Sequence, residues 1–229
     1  MRNGLVASTG QRHGTIWANL ALASAGCLWG TGFLFGKIAF REMNVSENVT
    51  FRFISACVIL VPILLTKRRV FERRDFWLLL TASVIGVPLQ FLIQFKGLHL
   101  TTVSHASLIV GILPVLVALT SVLFLHEQLN ILDWMVLLLS PTGVLVIALA
   151  TEKSAQRSGP TLAGDLLVLL SMFAATGMIL LTKHLTAKYD ALQVTTWMLV
   201  IGTVLLVLWT ELSHPVLAAE LQAWKFPGK

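Results

Sequence analysis

Charged side chains are scarce in this sequence. Asp, Glu, Lys and Arg make up only 12% of its 229 residues, whereas hydrophobic residues make up 56%. A typical soluble domain is about 25% charged and about 45–50% apolar. The apolar residues also run in long unbroken blocks instead of alternating with polar ones. The composition therefore excludes an ordinary water-soluble core and indicates a membrane protein.

The groups that catalysis or metal binding needs are absent from the sequence as well. None of the 11 acidic residues lies in the middle of an apolar block, where proton relays are usually found. The sequence has no H-E-x-x-H, G-x-S-x-G or Walker A motif, and no His and Cys at ligand spacing. Cys27 and Cys57 lack CxxC spacing and are interpreted as small buried hydrophobes. We therefore expect no enzyme activity, no cofactor and no metal site.

Basic residues outnumber acidic ones by 17 to 11, but they form no stripe that would predict a nucleic-acid partner. Five of them lie in one short loop between apolar blocks, namely Lys67, Arg68, Arg69, Arg73 and Arg74. Positively charged loops of membrane proteins face the cytoplasm. This loop therefore predicts a cytoplasmic N-terminus, two spans earlier, and places the Lys183–Lys188 loop on the same side.

The apolar blocks are the main structural signal. A membrane-spanning helix needs roughly 20 mostly apolar residues. Seven blocks come close to that length, namely Ile16–Phe40, Val49–Thr66, Phe76–Phe95, Val103–Leu125, Ile131–Ala150, Leu166–Thr182 and Ala191–Thr210. Backbone groups in lipid must bond to one another, so the blocks form helices or a closed barrel. Barrel strands alternate strictly, whereas Cys57–Leu65 is continuously apolar, so we predict an all-α integral membrane protein.

A weak internal repeat relates the early and late blocks. Shifting the sequence by 146 residues places Lys37 on Lys183 and Thr50 on Thr196. The same shift lays the first two blocks over the last two without a gap. Because a shift of five spans reverses the direction of each helix in the membrane, the pattern indicates an inverted repeat, which is a signature of transporter folds.

Three ionisable side chains enter the apolar blocks. Lys37 either snorkels to the interface or attracts anionic and zwitterionic substrates. It shares a helical face with Gly26 and Gly30, which we expect to let a neighbouring helix approach closely. Arg52 lies about 8 Å into the second helix, where lipid and helix dipole both disfavour a cation, so it either faces a cavity or snorkels. His105 is either a hydrogen-bonded packing residue or, in contact with water, a proton carrier.

Polar and helix-breaking residues in the blocks are further candidates. Gln90 and Gln94 are one turn apart, just after Pro88, and form a polar stripe. The stripe either forms hydrogen bonds between helices or lines a cavity. Trp29 lies in the middle of the first block, away from the interface. Pro114 lies within the fourth block, where freed carbonyl groups bend a helix or face a substrate.

Several short motifs occur in a defined order along the chain. In order, they are Leu28-Trp29-Gly30-Thr31-Gly32-Phe33 followed by Lys37, Arg52-Phe53, Thr101-Thr102-Val103-Ser104-His105-Ala106-Ser107-Leu108-Ile109 continuing to Pro114, Leu125-His126-Glu127-Gln128-Leu129, and Ala163-Gly164-Asp165-Leu166. This set resembles the EamA-type drug/metabolite transporters over nearly the whole chain. His105 departs from the pattern, since the family often has a small residue there.

The resemblance implies ten helices in two inverted five-helix repeats, both termini in the cytoplasm, and a central cavity built mainly from the first four helices of each repeat. Residues 1–150 are then expected to form the first repeat, and residues 151–229 part of the second, with two helices and a tail. Members typically export amino acids, related metabolites or drugs by alternating access, commonly coupled to protons. The substrate-cavity candidates are Trp29, Lys37, Arg52, Gln90, Gln94, His105 and Pro114.

The expected protein is thus a seven-helix portion of a ten-helix secondary transporter in the bacterial cytoplasmic membrane. Its expected partners are a small-molecule substrate and the lipid bilayer. Because the sequence stops after the seventh block, three interpretations stay open for its length: a fragment, a truncated gene product, or a chain whose second repeat is completed by a homo-oligomer or a partner chain. Two other interpretations stay open: a truncated, non-transporting membrane subunit or remnant, and an intramembrane enzyme.

Overall fold

The protein is built from long apolar helices. The computed structural model describes residues 3–66, 71–126, 129–135, 137, 139, 142 and 161–213. Every regular element in this part of the chain is helical. The principal helices are α1 (Asn3–Ala39), α2 (Val45–Thr66), α3 (Arg73–Val84), α4 (Gln90–Leu100), α5 (Val103–Val110), α6 (Leu113–Leu125), α7 (Leu162–Thr186) and α8 (Ala191–Ser213).

Six stretches of the described chain are long and apolar enough to cross a membrane. They are Trp17–Ala39, Val45–Pro62, Arg73–Leu100, Val103–Phe124, Leu162–Thr186 and Ala191–Ser213. The prediction of an all-α membrane protein is confirmed. The predicted span Ile131–Ala150 lies mostly outside the described residues, although residues 131–135 are helical.

The polarity of the bundle is reversed relative to that of a soluble protein. Large apolar side chains such as Ile59 and Phe124 are 71% and 73% exposed. Polar side chains, among them Ser171, Gln193 and Thr196, are buried between the helices. This distribution fits a lipid-facing exterior, because lipid tails accept apolar side chains and polar groups need partners inside the bundle.

Two membrane-spanning stretches contain a break at or near a proline. Between α3 and α4, Ile85–Leu89 forms a π-helical turn that contains Pro88. Proline lacks an N–H and clashes with the carbonyl one turn earlier, and a widened turn relieves that clash. The fourth span breaks at residues 111–112, and Pro114 then lies in the first turn of α6, where a helix has free N–H groups anyway.

The third span, Arg73–Leu100, packs antiparallel against α7 along its whole length. Three glycines allow the close approach. A Cβ on Gly97 would lie 2.8 Å from the carbonyl oxygen of Gly164, a Cβ on Gly164 would lie 2.9 Å from Thr101, and a Cβ on Gly86 would lie 2.3 Å from Met178. Small residues at such contacts are typical of helix pairs in membranes, where van der Waals packing replaces the hydrophobic effect.

On α1, the structure corrects the expectation about glycines. Within the described residues, nothing lies within 4 Å of a Cβ built on Gly26 or Gly30. The close approaches occur instead at Gly32, which meets the guanidinium of Arg52, and at Gly36, which meets the ring of Phe95.

Helices α2 and α8 also pack antiparallel. The hydroxyl groups of Thr50 and Thr210 are 2.8 Å apart, and the sulfur of Cys57 lies 3.2 Å from the hydroxyl oxygen of Thr203. Cys57 and Thr203 are separated by 146 residues. This is the offset of the internal repeat, so two positions that the repeat equates are in direct contact.

Charged residues join the start of α3 to the segment after α7. Lys188 donates from Nζ to Oδ2 of Asp75 at 2.8 Å and lies 2.7 Å from Oε2 of Glu72. The hydroxyl of Tyr189 donates to the same Asp75 oxygen at 2.8 Å. Hydrogen bonds to Asp75 and Glu72 raise the pKa of Lys188, so it stays charged at all physiological pH values. The start of α3 and the segment after α7 therefore lie at one end of the bundle.

The glycine contact between the third span and α7 is open to a direct test. In Gly97→Ala, the added methyl group meets backbone atoms that cannot move aside. We therefore expect the free energy of unfolding to fall by about 1–3 kcal/mol. Gly177→Ala on α7 is the matched control, because its Cβ meets no described atom within 4 Å. Thermal unfolding in detergent measures both, and equal melting temperatures for the two variants would contradict this packing.

Candidate functional site

Three of the sequence candidates meet in one pocket between α1, α2 and α4. The pocket is lined by Trp29, Gly32, Phe33, Arg52, Phe91, Gln94 and Phe95. Its volume is about 10 Å³, close to the minimum that one water molecule needs. In this arrangement of the helices the pocket is too small to hold a metabolite.

Arg52 is the charged group of this pocket. Its Nη1 donates to the carbonyl oxygen of Gly32 at 3.2 Å, and its Cζ lies 4.8 Å from the centre of the Phe95 ring. No carboxylate in the described part of the chain forms an ion pair with Arg52. The guanidinium is half-buried and uses a carbonyl and an aromatic face in place of an acid, which leaves most of its five donors for other partners.

Gln94 supplies the complementary polar group. It is only 1% exposed, and neither its Oε1 nor its Nε2 has a hydrogen-bond partner within the described chain. Gln90, one turn earlier, is also buried and has an unpaired Oε1. A buried amide atom without a partner costs about 1–3 kcal/mol. A side chain kept at such a cost is a candidate for ligand binding. Gln94 offers both a donor, Nε2, and an acceptor, Oε1, to a ligand in the pocket.

Aromatic rings form the walls around these polar groups. Phe53 and Phe91 meet edge to face with centres 4.8 Å apart, and Phe91 in turn contacts Phe95. Trp29 and Phe33 lie together on α1 with ring centres 6.4 Å apart. A cation and an amide surrounded by apolar rings suit a small ligand with a charged end and an apolar body.

Lys37 lies away from this pocket, at the C-terminal end of α4. Its Nζ donates to the carbonyl oxygens of Leu98, His99 and Thr101, at 2.7, 3.1 and 2.6 Å. The last carbonyls of a helix have no partner within the helix, and a cation there also complements the helix dipole. Lys37 therefore ties α1 to α4, and its three protons are all in use.

His105 belongs to a second polar cluster that contacts the Lys37 site. Thr102 begins α5 and accepts a hydrogen bond from the backbone N–H of His105. The Nδ1 of His105 lies 3.1 Å from Oδ2 of Asp165 in the first turn of α7, and Thr101 donates to the other carboxylate oxygen at 2.5 Å. Since Lys37 bonds to the Thr101 carbonyl, the cluster joins α1, the α4–α5 junction and α7.

Asp165 is the functional candidate that sequence reasoning missed. It lies near the end of an apolar block, and its partner His105 is 60 residues away, so no local spacing connects them. The Gly-Asp-Leu motif was the available signal. Pro114, by contrast, is exposed in the first turn of α6 and lines neither cluster. Within the described residues, no three His, Cys, Asp or Glu side chains come together as a metal site requires.

Comparison with curated proteins finds transporters. The chain is 25% identical over 188 residues to the uncharacterized transporter YetK of Bacillus subtilis, covering 81% of this chain and 57% of the relative. It is 28% identical over 192 residues to an uncharacterized transporter of Archaeoglobus fulgidus, covering 82% and 65%. The chain thus spans about three fifths of the length of these relatives. An uncharacterized protein of Haemophilus influenzae is 28% identical over 106 residues, or 45% of this chain and 80% of the relative.

No solved structure matches the chain at a significant level. The decisive match is to a family: residues 16–149 fit the description "EamA-like transporter family". This stretch holds most of the motifs that suggested the resemblance, together with the Arg52 pocket and His105. The match favours a transporter over an enzyme. On this evidence from sequence, together with the all-helical membrane fold, the chain belongs to the EamA-like transporter family.

Proposed function

We propose that the protein is a secondary transporter that exports amino acids or related small metabolites by alternating access. The observation that carries the proposal is the pairing of a half-buried Arg52, which has no carboxylate partner in the described chain, with the unpaired amide of Gln94. Both side chains line the same pocket.

The chemistry of the two groups favours a carboxylate-bearing substrate. A guanidinium binds a carboxylate through two parallel hydrogen bonds, and the interaction strengthens where water is excluded. The Oε1 of Gln94 accepts a bond from a substrate ammonium group, and the aromatic walls accept an apolar side chain. A lipophilic cation is disfavoured, because Arg52 would repel it.

The domain organisation in this proposal is a first repeat, residues 1–150, followed by part of an inverted second repeat, residues 151–229. The contact between Cys57 and Thr203 supports it, because an inverted repeat places equivalent positions of two antiparallel helices together on its symmetry axis. The Arg52 pocket lies between α1, α2 and α4. Its lining residues all belong to the first repeat, so α1, α2 and α4 would have to separate from one another to open it.

The cluster of His105 and Asp165 fits a contact that breaks when its end of the bundle opens. It joins α5 of the first repeat to α7 of the second. Histidine is the residue type in this cluster that commonly serves as a proton shuttle in proteins. We therefore also propose His105 as a proton carrier for coupled export.

The location in this proposal is the bacterial cytoplasmic membrane with the N-terminus in the cytoplasm. The support is the basic loop of residues 67–74, together with Lys188 at the same end of the bundle.

Replacing Arg52 tests the substrate role. Cells that produce Arg52→Gln should export preloaded radiolabelled amino acids at least about tenfold more slowly, since a charge-assisted pair is lost. The variant should melt no lower than the parent, because no buried ion pair is broken. Arg41→Gln, at an exposed position after α1, is the control with the same charge change. Unchanged export by Arg52→Gln would overturn the role, and no export by the parent would favour a non-transporting subunit.

Two variants of the second cluster separate packing from proton transfer. Asp165→Asn should lower stability by about 1–3 kcal/mol, because two hydrogen bonds to a carboxylate weaken. Asp133→Asn, at an exposed position, is its control. His105→Gln keeps a side-chain donor but does not titrate, so it should fold normally and flatten the dependence of export on external pH. A normal pH profile in His105→Gln would make His105 a packing residue only.

A further inference from the structure

A second and larger pocket lies between α3 and α7, at the end of the bundle that carries Lys188. Its volume is about 460 Å³, within the range of about 300–1,000 Å³ that is usual for ligand sites. It is lined chiefly by Arg74, Trp77, Leu78, Thr81, Leu181 and His184. It shares no residue with the Arg52 pocket.

The lining changes from polar to apolar along the helices. Arg74 lies in the first turn of α3 and His184 in the last turn of α7, so both are at the helix ends. Leu78 and Thr81 follow on the same stripe of α3, and Thr81 is about 10 Å deeper than Arg74 at about 1.5 Å per residue. Leu181 faces them from α7. The pocket therefore has a basic mouth at the level of the membrane surface and an apolar interior.

The charges at this mouth favour an anion. Asp75 also lines the pocket, but Lys188 and Tyr189 already bind its carboxylate. Arg74, in contrast, forms no ion pair with any described residue. The sequence places four further cations, Lys67, Arg68, Arg69 and Arg73, just before it. Clusters of this size next to a membrane span attract anionic lipids.

We propose that this pocket binds one anionic phospholipid of the surrounding leaflet. The phosphate group lies between Arg74 and His184, and the start of an acyl chain lies along Leu78, Thr81 and Leu181. Trp77, which is 59% exposed beside the mouth, packs at the level of the head group as interfacial tryptophans do. A soluble anion would leave the apolar interior unused, whereas a phospholipid matches both ends in the right order. This site does not depend on the substrate or direction of transport.

Native mass spectrometry of the purified full chain tests the proposal. The probes are phosphatidylglycerol and phosphatidylcholine with identical acyl chains, added to the protein in neutral detergent, with each binding constant confirmed by fluorescence titration at 0.15 M salt. We expect tighter binding of phosphatidylglycerol, and Arg74→Gln should raise its Kd about tenfold. Arg73→Gln removes the same charge one residue away, outside the pocket, and should raise that Kd by much less than Arg74→Gln, since it loses only the screened attraction of the cluster and no contact with the phosphate.

Thr81→Trp tests the acyl part of the site, because it fills the apolar interior without changing charge. It should weaken phosphatidylglycerol binding, and glycerol phosphate should compete poorly. Equal binding of the two lipids would overturn the proposal, as would equal effects of Arg73→Gln and Arg74→Gln, which would indicate diffuse attraction. Full competition by glycerol phosphate would replace it with a soluble-anion site. Protection of the pocket by a second copy of the chain, seen as a dimer that excludes lipid, would replace it with a protein interface.

Discussion

The close antiparallel contact between the third span and α7 is the constraint on which the described structure depends. In lipid the hydrophobic effect does not drive two helices together, so the pair relies on van der Waals contact and on hydrogen bonds. Gly97 and Gly164 bring the two backbones together, since a side chain at either would collide with backbone atoms. The same pair then fixes its neighbours, because Gly202 of α8 packs on Val87 at the π-helical turn and Lys37 of α1 binds the end of α4.

Arg52 gains its significance from this arrangement. The described ion pairs of the bundle lie at helix ends, as with Lys188 and Asp75, where water is near. Arg52 instead enters the bundle and is held by the Gly32 carbonyl and the Phe95 ring. An uncompensated cation in a membrane protein is costly, and function is the usual reason for keeping one. In the proposed function, a substrate carboxylate would supply the counter-charge that the described chain does not.

The membrane spans and part of the candidate site could be predicted from the sequence, and the contacts that could not be predicted have physical reasons. Length and hydropathy suffice for the spans, because lipid permits only helices of that length. Arg52 and the stripe of Gln90 and Gln94 could be singled out because a polar group in lipid needs an explanation. Lys37 could not be separated from them, since snorkelling and carbonyl capping by a lysine begin from the same sequence pattern. The partnership of His105 with Asp165 is a long-range contact, which no local periodicity encodes.

The third span and α7 are joined by charged or polar groups at both ends, and this constrains how the bundle can move. At one end Lys188 holds Asp75, and at the other Asp165 holds Thr101 and His105. A rigid pair clamped at both ends cannot open toward either side. The alternating access proposed for this chain would therefore require that the clamps break one at a time. The two are chemically unequal, because a lysine that stays charged at physiological pH holds one end, whereas an imidazole and a hydroxyl group hold the other.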